Sequence, residues 1–410
     1  MAARSGRLGA FLSLIDLLRQ LDVVPSPRGG ELAAAHGLAR RCAQLWPDIE
    51  WTVDRYSDTG ANLVATHGEG PLLYSHLDTS LDLAPADSEV SGLSTWRPLT
   101  IRGDEVTGFG LAVARGPAAA AITGFAGASA GTLLIAGSGT HRRGAAATGL
   151  RHHLARHPRP SSAVVAKAGP ATVLWHEPGM LFVEVRVSSR HGAALAPASA
   201  QPQGGLVRHL GTLLDALNAW CAHFVQHPGE GQIARASGLG AVRSGRPDKP
   251  DLLPGSVAVD LCLVTLGKDT ADGIRTDLTR HLRRELAGTP LAACHLWVGT
   301  ETVQAAASTS PAAPIVAGAL AAWTEEFGAE PEPITGWTGC TDAGVLRAIG
   351  VDTVRIGPQI RTRSDDATTD TASLAQLSAY SRIYSRLLES PAAAADDRSG
   401  PTALDDEGDS

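Results

Sequence analysis

The feature that most constrains the fold is an alternation between short apolar runs and helical segments along most of the chain. Runs such as "TLLIAG" and "SAVVAKAG" are almost continuously apolar, which is typical of strands covered on both faces. The segments between them repeat apolar residues every three or four positions, which is the period of a helix. This alternation predicts an α/β domain with a mixed, mostly parallel sheet and helices on both faces.

A block with a different order of elements interrupts this alternation. It opens with "MLFVEVRVSS", in which apolar and polar residues alternate as in a half-buried strand. A helix, two strands, a second helix and a last strand follow, which is the β-α-β-β-α-β order of a ferredoxin-like unit. We therefore predict an α/β domain in two segments, 1–178 and 304–390, an inserted ferredoxin-like lid at 179–303, and a disordered acidic tail at 391–410.

Composition limits the partners and the location of the protein. The 410 residues carry a formal net charge of −7 and no basic stripe, which argues against nucleic acid as a partner. No apolar run reaches the roughly 20 residues of a membrane helix, and the first residues lack the layout of a signal peptide, so we expect a cytoplasmic protein. The five cysteines are scattered without a C-x-x-C pair, so no thiolate metal cluster is predicted.

Four motifs support a more specific hypothesis. In chain order they read "GANLVATH", "LLYSHLDT", "WRPLTIRGDEVTGFG" and "GCTDAGVLRAIGVDTVRIGP". Together with the inserted lid, they make residues 8 to 388 resemble the M20 metallopeptidase and amidohydrolase family. The resemblance implies a hydrolase fold, a dimer formed through the lid, and a catalytic site that holds two zinc ions.

The resemblance also implies a particular set of zinc ligands. One ligand corresponds to His76, and Asp78 belongs to the same motif. A bridging aspartate, a glutamate pair that supplies the general base and a ligand, a further acid and a C-terminal histidine complete the set. Two cations a few Å apart repel each other, so a shared carboxylate and other anionic ligands must offset their charge. A carboxylate base then takes a proton from the metal-bound water.

Most of this ligand set is absent from the sequence. The bridging position falls on Val113, and the segment of the glutamate pair reads "AGSGTHRRGA". No Asp or Glu lies between Glu105 and Glu177, and no histidine follows His295. Because the missing groups belong to these windows, no shift of the alignment restores them. The sequence therefore predicts that the dinuclear zinc centre is lost and that His76 is a vestigial ligand.

The residues that stand in these segments indicate a different chemistry. Cationic side chains can take the position of the lost metal charge and bind a carboxylate through charge-assisted hydrogen bonds. Thr341 and Asp342 match pocket positions of the family, although local turn or helix-cap use explains both equally well. His191 lies near the place where family lids present a histidine to a partner's site, and a surface position is its alternative. The ligand-binding candidates are Arg142, Lys167, His191, Thr341 and Asp342, with an internal ion pair or a solvated surface as the alternative for Arg142 and Lys167.

Other histidines are interpreted without a function. His152, His153 and His157 lie on a predicted amphipathic helix and are expected at the surface. His223 and His227 end another predicted helix, where compensation of the helix dipole explains them.

Three functional hypotheses stay open. In the first, His76 and Asp78 are a relic pair, and the protein is a pseudoenzyme or binds a small amide or carboxylate ligand, without a cofactor, as a homodimer formed through the lid. In the second, an active amidohydrolase cleaves the C–N bond of an N-acyl amino acid or small peptide with His76, Asp78 and His141, with no metal or a single zinc. In the third, the lid pairs with an intact M20 enzyme. None of the three involves nucleic acid or a membrane.

Overall fold

The computed structural model describes residues 2–24, 26–81, 97–144, 146–197, 205–366 and 368–389. The predicted acidic tail at 391–410 lies outside the described residues. The helices are α1 (Ala2–Val23), α2 (Leu32–Leu45), α3 (Gly116–Ala126), α4 (Thr148–Arg156), α5 (Leu210–Val225), α6 (Ala271–Glu285), α7 (Pro314–Phe327), α8 (Ala343–Ala348) and α9 (Leu374–Glu389). None of these described helices is long and apolar enough to cross a membrane.

The strands fall into a central sheet, a lid sheet and several short pairs. They are β1 (Thr52–Arg55), β2 (Ala61–Thr66), β3 (Leu72–His76), β4 (Thr100–Arg102), β5 (Glu105–Gly108), β6 (Thr132–Ala136), β7 (Ser162–Ala166), β8 (His176–Glu177), β9 (Gly179–Ser188), β10 (Gly192–Ala193), β11 (Ala236–Ser244), β12 (Leu252–Leu253), β13 (Ser256–Thr265), β14 (His295–Gln304), β15 (Ala307–Ser308), β16 (Asp352–Ile356), β17 (Arg361–Thr362) and β18 (Asp370–Ser373).

The central sheet has the strand order β1-β2-β6-β3-β7-β16. Strands β6, β3, β7 and β16 are parallel, whereas β1 and β2 form an antiparallel edge. Because successive side chains of a strand point to opposite faces, Leu73 belongs to the core on the face that α3 and α9 contact, and Tyr74 to the core on the face that α4 and α8 cover. The predicted mixed, mostly parallel sheet with helices on both faces is confirmed.

The lid forms a second sheet with its own core. Its strand order is β11-β13-β9-β14, and every neighbouring pair is antiparallel, which is the arrangement of a ferredoxin-like unit. Leu181, Val183 and Val185 alternate along β9 with partly exposed residues and are buried against α5 and α6. The alternation in the sequence therefore marks a strand with one covered face, and the predicted ferredoxin-like unit is confirmed.

A π-helical turn, Leu111–Arg115, directly precedes α3. Gly110 opens the turn with a φ of 71°, a conformation that favours glycine. Its carbonyl accepts hydrogen bonds from the N–H groups of Ala114 at 3.1 Å and Arg115 at 3.0 Å. The widened turn leaves the carbonyl of Val113 available to a side chain from another strand.

The carboxyl ends of β6, β3 and β7 lie side by side at one edge of the central sheet. His76 ends β3, residues 137–141 follow β6, and Lys167 follows β7. In open α/β sheets, ligands bind in the crevice outside such strand ends. The fold therefore gathers these three segments around one crevice.

Candidate functional site

A cavity of about 230 Å³ lies at these strand ends. Its walls come from the ends of β3 and β7, the loop after β6, the π-helical turn and the segment that leads into α8. The lining residues are Tyr74, His76, Ser80, Val113, Gly139, Thr140, His141, Val165, Ala166, Lys167, Cys340, Thr341 and Asp342.

One imidazole nitrogen of His76 is fixed by contacts with Asp78, and the other nitrogen lies on the side of the cavity. Its side chain is 3% exposed, and Nδ1 lies 3.0 Å from the carbonyl oxygen of Asp78 and 3.3 Å from Oδ1 of the same residue. Because both neighbours of Nδ1 are hydrogen-bond acceptors, we assign the ring proton to Nδ1, and Nε2 then carries the lone pair. Burial lowers the pKa of His76, and the nearby Lys167 lowers it further, so the ring is neutral.

Asp78 is a fully buried carboxylate that anchors the loop after β6. It accepts hydrogen bonds from the N–H of Gly139 at 2.7 Å, the N–H of Thr140 at 2.9 Å and the hydroxyl of Thr140 at 2.5 Å. Burial raises the pKa of Asp78, but the contacts with His76 and Thr140 outweigh this and lower it to about 2. The "AGSGTH" loop, which carries no acid, thus binds Asp78 through its backbone.

Lys167 places an amine against the free nitrogen of His76. Its Nζ contacts His76 Nε2 and donates a hydrogen bond to the carbonyl of Val113. A metal-binding histidine that is oriented through Nδ1 uses Nε2 as its ligand atom, so the amine stands where such a metal would bind. Burial, together with the charge of Arg355, lowers the pKa of Lys167 to about 7.

The opposite wall of the cavity holds two polar atoms that lack partners. The hydroxyl of Tyr74 donates to Oδ2 of Asp342, and Nε2 of His141 lies 4.0 Å from Oδ1 of Asp342. Neither this nitrogen nor this oxygen has a hydrogen-bond partner among the described residues. Burial raises the pKa of Asp342 to about 7 and lowers that of His141 to about 4. Both atoms are buried from solvent and belong to residues that line the cavity.

A buried ion pair behind the cavity was missed in the sequence. Glu177 is 1% exposed, accepts a hydrogen bond from the N–H of Thr341, and lies 3.4 Å from Nη1 of Arg347. Arg355 donates to the carbonyls of Ala168 at 2.6 Å and of Gly339 on its other side. The available signal was a single arginine inside each of the apolar runs "VLRAI" and "TVRIG", because a charge in such a run needs a buried partner.

The structure brings together only part of the predicted site. His76, His141, Lys167, Thr341 and Asp342 line the cavity, and Asp78 lies directly behind His76. The other two ligand-binding candidates, Arg142 and His191, are exposed and do not line it.

The loop that carries Arg142 instead contacts the lid. The neighbouring Arg143 pairs with Asp260 at 2.8 Å and lies 3.7 Å from Glu301. In this loop His141 is partly buried and lines the cavity, whereas Arg142 is exposed on the outer side.

The residues present in the cleft do not fit a dinuclear metal centre. The bridging position offers the methyl groups of Val113, the oxygens of Asp78 already accept hydrogen bonds, and the amine of Lys167 contacts His76. Catalytic zinc sites use three protein ligands per ion, and paired ions need shared anionic groups. Among the described residues, the group of three metal-ligating side chains with mutually close ligand atoms lies outside the cleft.

Comparison with known proteins identifies the fold. No protein-family model and no curated protein matches the chain. Many solved structures do match it, and three of them are covered over 98% of their own length. They are the M20 family metallo-carboxypeptidase Sso-CP2 from Sulfolobus solfataricus (13% identity, 92% of this chain, TM-score 0.66), human carnosine dipeptidase 1 (12%, 95%, 0.66) and the Bacillus subtilis YXEP protein, a dinuclear metal-binding peptidase of the M20 family (11%, 93%, 0.60). At such identities the similarity establishes the fold alone, and the predicted resemblance to M20 proteins is confirmed at that level.

Proposed function

We propose that this chain, which has the fold of M20 family peptidases, binds a small carboxylate or amide ligand in its cleft without a dinuclear metal centre. The observation that carries the proposal is the contact of Lys167 Nζ with His76 Nε2. This contact uses the lone pair that a metal ion requires and supplies a positive charge from the chain itself. The cleft thereby holds a side-chain amine where a metal site would hold an ion, and this amine, with a pKa of about 7, is partly protonated at neutral pH.

Charge balance supports this proposal. Two divalent ions bring four positive charges, which an M20-type site offsets with several carboxylates. Here one lysine amine beside Arg355 takes the place of the metal charge, and the carboxylates near this amine are Asp78, Asp342 and Glu177. Asp342 has a pKa near 7 because it is buried, so it is only partly charged at neutral pH. The cleft therefore has both a smaller positive charge and fewer carboxylates than an M20-type metal site, so the two changes balance each other.

The size and polarity of the cavity favour a small ligand. Its volume of about 230 Å³ is below the roughly 300–1,000 Å³ of typical sites for drug-sized ligands. Lys167 offers a cationic donor for a carboxylate, and Oδ1 of Asp342 offers an acceptor for an amide N–H. A compound of amino-acid size that carries both groups can satisfy both walls at once.

The proposal is tested by calorimetric titration with a panel of N-acetyl amino acids and dipeptides. We expect a member of the panel to bind the wild type, and Lys167→Met to weaken that binding by about tenfold or more because a charge-assisted hydrogen bond is lost. The exposed Lys268→Met is the matched control and leaves the affinity unchanged. Binding that is equal in Lys167→Met and wild type, or a panel without any binder, contradicts the proposal.

A hydrolase with an altered site is the second candidate, and one observation favours it. His141 Nε2 and Asp342 Oδ1 are 4.0 Å apart, are buried without partners among the described residues, and belong to residues that line the cavity. Such a pair can exchange a proton with a bound substrate, since a carboxyl with a pKa near 7 is suited to general acid–base catalysis. Turnover of N-acyl amino acids that is lost in His141→Ala and kept in His191→Ala would establish this candidate instead.

The lid is proposed to form a homodimer. Strand β11 lies at the edge of the lid sheet, and Leu239 and Val242 on it are 39% and 47% exposed. An edge strand with exposed apolar side chains pairs readily with another strand edge. We expect a dimer in analytical ultracentrifugation and a monomer for Val242→Lys. A monomeric wild type contradicts this, and mixed dimers with an M20 enzyme would support the alternative of a structural partner.

A further inference from the structure

A second group of histidine and aspartate side chains lies away from the cleft, where α4 meets the edge strand β1. Asp54 belongs to β1, His153 lies in the last turn of α4, and His157 directly follows α4, where its N–H donates to the carbonyl of His153 at 3.1 Å. One ligand atom from each of the three side chains lies within 4.8 Å of the other two. His153 is only 6% exposed, so its predicted surface position is wrong, because its side of α4 faces β1.

Two polar atoms of this group are buried without a partner among the described residues. Nδ1 of His153 and Oδ2 of Asp54 have no hydrogen-bond partner among the described residues. Burying polar atoms without a partner is energetically unfavourable. We therefore expect these two atoms to bind a further group in the native protein. The ring of His153 stacks on that of His157 with centroids 4.3 Å apart, which places both rings beside the same carboxylate.

A neighbouring histidine orients the carboxylate. Nε2 of His152 lies 3.2 Å from Oδ1 of Asp54, so one oxygen of the carboxylate is engaged and Oδ2 remains for another partner. Metal-binding carboxylates are commonly held by such an outer hydrogen bond.

We propose that Asp54, His153 and His157 bind one divalent transition-metal ion of the zinc class. Two imidazoles and one carboxylate suit zinc, whereas calcium and magnesium prefer oxygen ligands alone. Three protein ligands leave a fourth tetrahedral position for water. The bound ion joins the edge strand β1 to α4 and stabilises the folded state by mass action. This site shares no residue with the cleft.

The chain contains a matched control for this site. His223 and His227 have the same spacing of four at the end of α5, and their ring centroids are 5.0 Å apart. They belong to no group of three close ligand atoms among the described residues. His227→Ala therefore removes a histidine of equal spacing without touching the proposed site.

The experiment is a competition titration of the full chain with zinc against a chromophoric chelator. We expect one zinc ion per wild-type chain, an affinity that falls about tenfold or more in His157→Ala and in Asp54→Asn, and no change in His227→Ala. Because His157 is exposed, its substitution spares the core, and thermal unfolding checks the fold of each variant. Zinc raises the melting temperature of the wild type and of His227→Ala, but not that of His157→Ala.

Two results overturn the proposal. The first is the lack of saturable zinc binding to the wild type. The second is zinc binding that persists unchanged in both His157→Ala and Asp54→Asn. Neither result bears on ligand binding at Lys167, so this proposal and the proposed function fail independently.

Discussion

The cleft and the outer edge of the central sheet hold the same residue types in opposite electrostatic settings. In the cleft, Nε2 of His76 contacts the amine of Lys167, and the oxygens of Asp78 accept several hydrogen bonds. At the outer edge, Asp54 and His153 each keep an atom without a partner among the described residues. We therefore expect histidine and aspartate to favour metal binding where their lone pairs are free and no neighbouring amine occupies them.

The largest expected effect is on the stability of the cleft. Asp78→Ala should lower the free energy of unfolding by about 3–5 kcal/mol, because it leaves the buried donors of Gly139 and Thr140 without their carboxylate. Asp54→Ala at the partly exposed outer site should cost at most about 1 kcal/mol in metal-free buffer. Urea unfolding of both variants measures the difference, and equal losses would contradict the contrast between the two sites.

A designed reversal should convert the cleft to a metal site. Val113→Asp combined with Lys167→Glu removes the amine from His76 and adds two carboxylates to the cavity wall. We expect this variant to retain zinc after dialysis in a His157→Ala background, as measured by elemental analysis. The variant with Val113→Asn and Lys167→Gln has the same shape without the charges and should retain none. Equal zinc content in the two variants would contradict the role of charge.

The pH dependence of stability should report on Lys167. Its pKa falls from 10.5 to about 7 on folding, because it is buried. Between these two values the unfolded chain binds the proton and the folded chain does not, so this group makes stability rise with pH, by at most about 1.4 kcal/mol per pH unit. Below pH 7 both states bind the proton and this slope vanishes.

The variant Lys167→Met isolates this slope. The difference in unfolding free energy between wild type and variant should change in favour of the wild type from pH 7 toward pH 10. A difference that stays flat over this window would mean that the amine is not buried as described.

The smallest effect is expected at Arg142. This exposed side chain does not line the cavity, so Arg142→Ala should change the unfolding free energy by less than about 0.5 kcal/mol and leave ligand affinity unchanged. Arg143→Ala, which loses the pair with Asp260, should cost more and serves as the comparison. A large loss of affinity in Arg142→Ala would show that the ligand extends beyond the cavity.

The sequence predicts the layers of the fold better than the contacts within the site. The hydrophobic period and the order of the elements are enough to predict both sheets. The lack of acidic residues between Glu105 and Glu177 is enough to predict that the metal centre is altered. The contact of Lys167 with His76 joins residues 91 positions apart, and it depends on the widened turn at Val113, which no periodicity indicates.

The outer site shows the same limit. Helical periodicity predicts that His153 and His157 share one side of their predicted helix, but not that this side faces Asp54 of an edge strand. Burial of His153 comes from strand order, which a local pattern does not contain.

The most direct test is anomalous diffraction from zinc-soaked crystals of His157→Ala, in which the proposed outer site is removed. If the amine of Lys167 has replaced the metal charge, no anomalous peak lies beside Nε2 of His76, and Lys167 keeps its contact with that nitrogen. Two strong peaks next to His76, with Lys167 displaced, would contradict the replacement of the metals by a side-chain cation.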